Sequence, residues 1–422
     1  MAHVQIAGAG LAGLACALRL SGAGIEVTVH EAARHAGGRC RSFHEKSLDT
    51  VIDNGNHLVM SGNTAAMAFL RDIGAEDRLV GTGGARFPFL DLDTGERWCV
   101  TPSRGRLPFW VFDKSRRVAG TRPADYLSVV RILKRHRGAA FTDIVPPTGA
   151  LFERFWDPFI VAVLNTQPAR AAAELVTPVL WETFGKGADA CRPLVARDGL
   201  SDTFIDPALE CLAERGVEVR FGNRVSKLDL DGTRVTAMRS GDDDVELSAE
   251  DMLVLGLPAP VTADLVPGLE TPGEHSPIVN LHYKIENAAG PLMDVPFLGL
   301  TNGLAQWLFV RGDIASVTIS GADDVVDWPA DRIASRVWRD VANALGTPND
   351  PQPPCRVIKE RRATFLQSPD QVALRPPAQT AYANLLLAGD WTDTGIPATI
   401  EGAIRSGFTA ADAALASIGA RG

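Results

Sequence analysis

Several classes of protein are excluded by what this sequence of 422 residues lacks. It has no apolar run of the roughly 18 residues that a membrane-spanning helix needs. Its six cysteines are scattered without a C-x-x-C pair, so we expect neither a disulfide framework nor a metal site. No export signal precedes the first predicted strand, which favours a cytoplasmic location. The net charge of −9 argues against nucleic acid as a partner.

Positive charge is concentrated in one segment of this acidic chain. Residues 104–137 contain ten Lys or Arg and two acids, a net charge of +8 that leaves −17 for the rest. The same segment carries Phe109, Trp110 and Phe112. Cations interleaved with bulky apolar groups are typical of surfaces that meet anionic membranes, although a solvated basic face over a local core is the alternative.

The order of predicted elements indicates two interleaved domains, as expected above the ~250–300 residues of a single core. Strands and helices typical of a nucleotide-binding sheet occur near the start, the centre and the end of the chain. We predict a discontinuous nucleotide-binding domain and a substrate domain of mixed sheet and helices, an α/β plus α+β fold. The first takes residues 1–80, 195–265 and 380–422, and the second takes residues 81–194 and 266–379.

A dinucleotide-binding motif occupies the N-terminus. Gly8, Gly10 and Gly13 form G-x-G-x-x-G between an apolar strand and a predicted helix. The first glycine allows the tight turn, the second allows a pyrophosphate to approach the backbone, and the third allows close packing of helix on sheet. The helix N-terminus then offers N–H groups to the phosphates. Glu31 ends the second strand, where a carboxylate accepts hydrogen bonds from ribose hydroxyls.

The next segments identify the dinucleotide. Gly37-Gly38-Arg39, followed by Arg41-Ser42, resembles the G-G-R-x-x-S signature of the glutathione-reductase-type flavin fold in the flavin-containing amine oxidase and carotenoid desaturase superfamily. Gly389-Asp390 and the start of the last helix resemble the C-terminal flavin motif of that superfamily. The motifs and the resemblance together imply FAD, bound by Gly8, Gly10, Leu11, Ala12, Gly13, Glu31, Ala32, Gly38, Arg39, Asn54, Gly55, Asn56, Val225, Gly389, Asp390, Thr399 and Ile400.

A narrower resemblance covers essentially the whole chain. The segments 53–58, 164–168 and 389–402 look like those of the hydroxysqualene dehydroxylase family. The segment Gly395-Ile396-Pro397 lacks the aromatic residue that many amine oxidases use to enclose an amine, which favours an apolar substrate. The resemblance implies reductive removal of the allylic hydroxyl of hydroxysqualene, with a long isoprenoid substrate reached at a membrane surface. Localisation would then be peripheral, on the inner face of the cell membrane.

The implied reaction needs an acid, because hydroxide is a poor leaving group. Asp53 and His57 lie where chains of the superfamily pass along the flavin, and burial raises the pKa of a carboxyl group. Asn165 and Thr166 are predicted to orient the substrate hydroxyl. The structural alternatives are a turn carboxylate, for Asp53, and a core histidine, for His57.

Two other functions remain open at the level of sequence. A carotenoid or phytoene-type desaturase would run the flavin in the oxidative direction, and the sequence does not fix the direction of electron flow. A lipid-escort protein on the same fold, like the GDP-dissociation inhibitors of prenylated GTPases, would have lost flavin binding. The persistence of Glu31, Gly37-Gly38-Arg39 and Gly389-Asp390 disfavours this last function. The electron donor is left unassigned.

Overall fold

The computed structural model describes residues 2–134, 136–285 and 296–419. Its strands are β1 (His3–Ala7), β2 (Glu26–Glu31), β3 (Ser42–Glu45), β4 (Thr50–Asp53), β5 (Val59–Met60), β6 (Leu79–Gly81), β7 (Phe87–Asp91), β8 (Arg97–Val100), β9 (Pro193–Ala196), β10 (Glu218–Phe221), β11 (Val225–Asp231), β12 (Arg234–Ser240), β13 (Asp243–Glu246), β14 (Met252–Leu255), β15 (His275–Lys284), β16 (Phe297–Thr301), β17 (Trp307–Arg311), β18 (Ile314–Ser320), β19 (Cys355–Phe365) and β20 (Leu385–Leu387). Its α-helices are α1 (Leu11–Gly22), α2 (Thr64–Asp72), α3 (Ser128–Ile132), α4 (Phe141–Ile144), α5 (Asp157–Leu164), α6 (Ala173–Glu182), α7 (Asp206–Glu214), α8 (Ala259–Leu265), α9 (Ala330–Leu345), α10 (Pro369–Ala373) and α11 (Ile400–Gly419).

A five-stranded parallel sheet carries the N-terminal motif. Its order is β10-β2-β1-β14-β20, so the first strand lies at the centre and the last strand at an edge. The central strands β1 and β14 are almost entirely buried, as expected of a parallel sheet covered on both faces. Helices α1 and α11 pack against each other beside this sheet, with core residues from both. The α/β class predicted from the sequence is confirmed.

The largest of the described sheets has seven strands, in the order β19-β15-β18-β17-β16-β7-β8. Side chains alternate between its two faces because successive residues of a strand point to opposite sides. One face packs its aliphatic residues against α9. The other face carries Phe89, Trp98, Phe297 and Trp307, which join the aromatic core under α5 and α6. The sheet thus separates α9 from the side on which Asp53 and His57 lie.

Smaller sheets complete the fold. Strands β3 and β4 form a hairpin, β5, β9 and β6 form a three-stranded sheet, and β11, β12 and β13 form another. The Asp-Gly pair in Leu230-Asp231-Gly232-Thr233 predicts a hairpin turn, and the structure confirms it, with Gly232 at a φ of +49°. The strands between residues 42 and 91 were not predicted, because they have only two to five residues each and alternate weakly. The proposed domain boundaries stay a prediction.

The basic segment, residues 104–137, lies on the surface over the aromatic core. It contains a 3₁₀ helix at Phe109–Phe112, a second at Pro123–Leu127, and α3. Trp110 and Tyr126 join the two 3₁₀ helices by an edge-to-face contact at 5.3 Å. Helix α6 supports α3, because the Thr177 hydroxyl donates to the Ile132 carbonyl at 2.6 Å. None of the helices in the described ranges combines the length and apolar character needed to cross a bilayer.

Candidate active site

The glycine-rich loop joins β1 to α1. Gly8 has a φ of +101°, and a Cβ atom there would lie 2.5 Å from the Gly256 carbonyl oxygen. A Cβ at Gly13 would lie 1.9 Å from the Gly8 carbonyl oxygen, so only glycine lets α1 approach the loop. A Cβ at Gly10, in contrast, would have no neighbour within 4 Å. The loop is therefore packed at its first and third glycines and open at its second, where a pyrophosphate would approach.

Glu31 fixes the loops around this opening. One carboxylate oxygen accepts a hydrogen bond from the Ala9 backbone N–H at 2.8 Å, and the other accepts one from Ala33 at 2.8 Å. Oxygen atoms with this geometry keep further acceptor capacity. Ala32 lies exposed between these contacts, and Val225 begins β11 close by, since the Asn223 N–H donates to the Glu31 carbonyl at 2.9 Å. These residues form the end of the FAD site that is predicted to bind the ribose and the adenine.

The Gly37-Gly38-Arg39 segment lies directly against the glycine-rich loop. Gly37 forms an isolated parallel bridge with Gly10 and donates its N–H to the Ala9 carbonyl at 2.8 Å. Arg39 donates to Asp390 at 2.7 Å and also to the Ala363 carbonyl. Nevertheless, 46% of the Arg39 side chain is exposed. The N-terminal signature and the C-terminal Gly-Asp motif, more than 350 residues apart, therefore meet in one ion pair.

The C-terminal motif runs from β20 into α11. Gly389 has a φ of +147° and donates its N–H to Ser406 at 2.8 Å. Thr399 accepts a hydrogen bond from the Gly402 N–H at 3.2 Å at the start of α11, and Ile400 is buried in the core. Sequence reasoning missed Arg375, whose buried guanidinium bonds to carbonyl groups of this segment. A buried arginine surrounded by carbonyls stabilises the loop that precedes the helix.

These features fit FAD. The open space at Gly10 meets the N-terminus of α1, and the exposed part of Arg39 lies beside the same loop. Helix N-termini and arginine are the usual partners of a pyrophosphate group. Leu11 and Ala12 form the first turn of α1, and Gly38 has a φ of +57° in the facing loop. The predicted nucleotide-binding residues thus surround one opening.

A cavity lies between the loop after β4 and the seven-stranded sheet. Its walls include polar residues from both elements and apolar residues from β6, β9 and β17. The residues used below are Asp53, Asn56, His57, Phe309, Arg311 and Ser316. Two of the predicted catalytic residues, Asp53 and His57, are therefore brought together on one cavity wall.

The Asp53 carboxylate accepts hydrogen bonds at both of its oxygen atoms. Its Oδ1 accepts hydrogen bonds from the Ser42 hydroxyl at 2.6 Å and the Leu200 N–H at 2.9 Å. Its Oδ2 accepts a charged hydrogen bond from Arg311 at 2.7 Å. Both carboxylate oxygens thus accept hydrogen bonds from protein groups, whereas an acid would have to offer its own O–H to the substrate. The acid role predicted for Asp53 stays a prediction, and this geometry weighs against it.

His57 is half-buried in the cavity wall. The pKa of His57 is lowered to about 4, mainly by burial and to a smaller extent by Arg39, against the opposing effect of Asp53, which raises it. The imidazole is consequently neutral at neutral pH, and a negative charge near it makes protonation easier. His57 can therefore exchange a proton with a hydroxyl group in the cavity.

A polar row on β15 and β18, missed by sequence reasoning, faces the Asn54–Asn56 segment. Asn56 donates to the Thr318 hydroxyl at 3.1 Å, and that hydroxyl donates to Asn280 at 2.9 Å. Asn280 donates in turn to the Asn54 carbonyl at 3.3 Å, and a Cβ at Gly55 would lie 3.1 Å from the Asn280 amide nitrogen. The signal was the occurrence of polar residues at every second position of an otherwise apolar buried strand.

Asn165 and Thr166 lie elsewhere, at the end of α5. Asn165 adopts a φ of +48° and donates to the Ser276 carbonyl at 3.0 Å and to Thr364 at 3.1 Å. Thr166 donates to the Leu164 carbonyl at 3.0 Å and accepts from the Gln367 N–H at 3.1 Å. Both side chains are buried and bonded to protein groups. Their predicted contact with substrate stays a prediction, and the geometry favours a scaffolding role.

Comparison with known proteins agrees with this site. The family model "Flavin containing amine oxidoreductase" matches residues 11–415. A hydroxysqualene dehydroxylase from Sinorhizobium fredii is 44% identical over 413 residues, covering 98% of both chains. A probable zeta-carotene desaturase from Synechococcus elongatus is 23% identical over 98% of both chains. The structure of an oxidoreductase from Methanosarcina mazei, 16% identical, superposes with a TM-score of 0.74 over 97% of this chain and 100% of that one.

The family match begins at residue 11, in the first turn of α1, and the dehydroxylase match covers 98% of both chains. FAD is accordingly the cofactor, and the chain is an FAD-dependent oxidoreductase. The desaturase likeness is much more distant than the dehydroxylase likeness. The chain therefore belongs to the flavin-containing amine oxidoreductases and, within them, to the hydroxysqualene dehydroxylase family.

Proposed function

We propose that this enzyme removes the allylic hydroxyl group of hydroxysqualene and produces squalene and water. The observation that carries this proposal is the 44% identity to the Sinorhizobium fredii dehydroxylase over 98% of both chains. The aromatic sheet face next to the cavity of Asp53 and His57 supports it, because aromatic side chains offer a large apolar surface to such a substrate. A desaturase activity is the weaker candidate, since its relative shares only 23% of residues.

The substrate hydroxyl must leave as water, which requires a proton and an environment that excludes bulk solvent. When bound, reduced FAD supplies the hydride. His57 must take up a proton before it can give one to the departing oxygen. The Asp53 carboxylate beside it favours the imidazolium form, whereas burial opposes it. Arg311 and Ser42 hold Asp53 in place by the hydrogen bonds described above.

Aromatic side chains support an apolar isoprenoid substrate. From Phe309 in the cavity wall, ring contacts lead to Phe297 at 6.2 Å, then to Trp307 at 6.2 Å and to Phe89 at 5.6 Å. The same core contains Trp110 and Tyr126 of the basic segment. Aromatic faces carry negative charge density and stabilise nearby cations, so they tolerate an allylic cation that a hydrocarbon wall would not.

We also propose that the basic segment docks on the anionic inner face of the cell membrane. Six of its large apolar side chains are exposed by 40% to 69%: Leu107, Phe109, Phe112, Leu127, Val130 and Leu133. Trp181, on the supporting helix α6, is exposed by 61%. Trp110 is half-buried against the core, which supports a role beneath the surface instead of on it. Exposed apolar groups among cations favour insertion at a lipid headgroup layer.

The direct test is conversion of hydroxysqualene by the purified, FAD-loaded protein under anaerobic reduction. We expect squalene to accumulate in proportion to enzyme when dithionite supplies the electrons, measured by gas chromatography of the extract. His57→Gln is expected to retain FAD and lose at least about a hundredfold in turnover, because general acid catalysis contributes about that much. If the FAD-loaded wild-type protein forms no squalene, the proposed reaction is contradicted. If it forms desaturated products, the proposed direction of electron transfer, from flavin to substrate, is contradicted.

A further inference from the structure

One row of side chains crosses the cavity face of the seven-stranded sheet. Backbone register pairs His282 of β15 with Ser316 of β18, and Ser316 with Phe309 of β17. Ser316 and Phe309 line the cavity that contains Asp53 and His57. His282 is 1% exposed, and its Nδ1 lies 2.8 Å from the Ser316 hydroxyl oxygen. A buried histidine thus holds a hydroxyl group at the cavity wall.

The Ser316 hydroxyl keeps hydrogen-bonding capacity toward the cavity. A serine oxygen has one donor hydrogen and two acceptor lone pairs, and His282 uses one of these three. In either tautomer of His282, at least one lone pair of Ser316 remains free. The ring of His282 also lies against the backbone of Asp53. Asp53, Arg311 and Glu45 are the charged groups near this ring.

We propose that Ser316 accepts a hydrogen bond from the substrate hydroxyl, and that His282 acts as a positioning residue that fixes the direction of the Ser316 hydroxyl. This inference rests on the proposed function. A substrate O–H that donates to Ser316 keeps the lone pairs of its own oxygen for the proton from His57. The C–O bond then breaks, the oxygen leaves as water, and the hydride contributes the electron pair of the new C–H bond.

The same contact would distinguish substrate from product. Squalene has no hydroxyl group, so its binding would leave the inward lone pair of Ser316 without a partner. An unpaired polar group in a closed site weakens binding of the ligand that fails to satisfy it. Ser316 would therefore favour binding of the alcohol and release of the hydrocarbon.

Binding to the oxidised protein tests this inference without turnover. The dissociation constants of hydroxysqualene and of squalene are measured on FAD-loaded protein without reductant, from the change in flavin absorbance or from partition between detergent and protein. Ser316→Ala should weaken hydroxysqualene binding about five- to tenfold and leave squalene binding unchanged. His282→Leu should reduce the preference for hydroxysqualene over squalene, because the Ser316 hydroxyl then rotates freely. Ser320→Ala, on the same face of β18, is the matched control and should change neither constant.

Three results would overturn the inference: unchanged hydroxysqualene binding in Ser316→Ala, equal weakening of both ligands, or an effect of equal size in Ser320→Ala. If Ser316→Ala does not fold, the pair Ser316→Thr and Ser316→Val gives the same comparison, since their shapes match and only threonine keeps the hydroxyl. If the wild-type protein converts hydroxysqualene but Ser316→Ala binds hydroxysqualene as tightly as the wild type does, this inference alone is contradicted. Wild-type protein that does not convert hydroxysqualene contradicts the proposed function, and with it the inference.

Discussion

At Asp53, one carboxylate ties together three segments that are distant in sequence. Its donors come from Ser42 in β3, from the backbone of Leu200 and from Arg311 in β17. These three donors fix the orientation of the carboxylate, and its negative charge raises the pKa of the nearby His57. Under the proposed function, Asp53 positions and His57 transfers the proton.

A buried histidine in the parallel sheet leads to a prediction about pH. His30 is 1% exposed, with Nε2 at 2.8 Å from Gln5 and Nδ1 at 2.7 Å from the Ser240 hydroxyl. Burial, helped by the nearby Arg220, lowers the pKa of His30 to about 4. The unfolded chain, with an ordinary pKa of about 6.5, binds a proton that the folded chain does not bind. Stability is therefore complete above about pH 6.5 and falls as the pH drops toward about 4.

For His30, the expected loss is roughly 2 kcal/mol in the free energy of unfolding at about pH 5. Urea denaturation of the FAD-loaded protein at about pH 7.5 and pH 5 measures it. His30→Gln should lower stability at both pH values but reduce the difference between them. His44→Gln, at an exposed position of β3, should leave the difference intact. An undiminished difference in His30→Gln would show that other groups cause the acid sensitivity.

At the scale of elements, the contact between α1 and α11 sets the geometry of the flavin site. A Cβ at Gly407 of α11 would lie 2.2 Å from the Ala12 carbonyl oxygen and 3.0 Å from the Ala15 Cβ. The N-termini of both helices point toward segments that are predicted to contact FAD. A change in the distance between the helices would therefore move both sets of predicted contacts.

Gly407→Ala should force these helices apart, lower the free energy of unfolding by about 1–3 kcal/mol and reduce FAD retention. Thermal denaturation and the ratio of flavin to protein absorbance measure the two effects. The control is Gly419→Ala in the same helix, where a Cβ meets nothing within 4 Å. Equal behaviour of the two variants would mean that the helix contact adapts without cost.

The sequence predicted some of these elements well and others poorly, for physical reasons. Apolar patterns and flanking turns predict strands at residues 3–7, 252–255 and 307–311 and a helix at about 330–345. The structure has β1, β14, β17 and α9 at these residues. Glycine spacing identified the nucleotide loop because each glycine is required by local geometry: a tight turn, the approach of the pyrophosphate, or close packing of the helix. The contacts of His282 with Ser316, and of Arg39 with Asp390, depend on the pairing of distant segments. Local pattern contains no information about such pairings, so the cavity could be anticipated only in part.

At the scale of the whole molecule, charge and exposed apolar groups coincide in one region. The triple variant Arg106→Gln, Lys114→Gln and Arg131→Gln should weaken binding to vesicles with phosphatidylglycerol by about fivefold per charge at low salt. All three side chains are exposed, whereas Arg116 and Arg117 donate to backbone carbonyls and support the local fold. Arg135, predicted to contribute to docking, lies outside the described residues.

Vesicle co-sedimentation measures this binding. The control variant removes three exposed charges elsewhere, by Lys46→Gln, Arg192→Gln and Arg339→Gln. A separate variant, Phe109→Ser with Phe112→Ser, should weaken binding to neutral vesicles as well, because it removes exposed apolar groups. If the triple and control variants bind alike, net charge alone governs the interaction and the basic segment is not the docking surface.

The strand order of the parallel sheet has a consequence for biosynthesis. Neighbours in this sheet come from residues 3–7, 26–31, 218–221, 252–255 and 385–387, and α11 follows the last of them. A nascent chain emerging from the ribosome must therefore keep the open edge of β14 unpaired until nearly four hundred residues have been made. Exposed strand edges of this kind invite aggregation. We therefore expect stable flavin binding only after β20 and α11 have been synthesised and have joined the sheet, so that retained flavin reports the assembly of this edge.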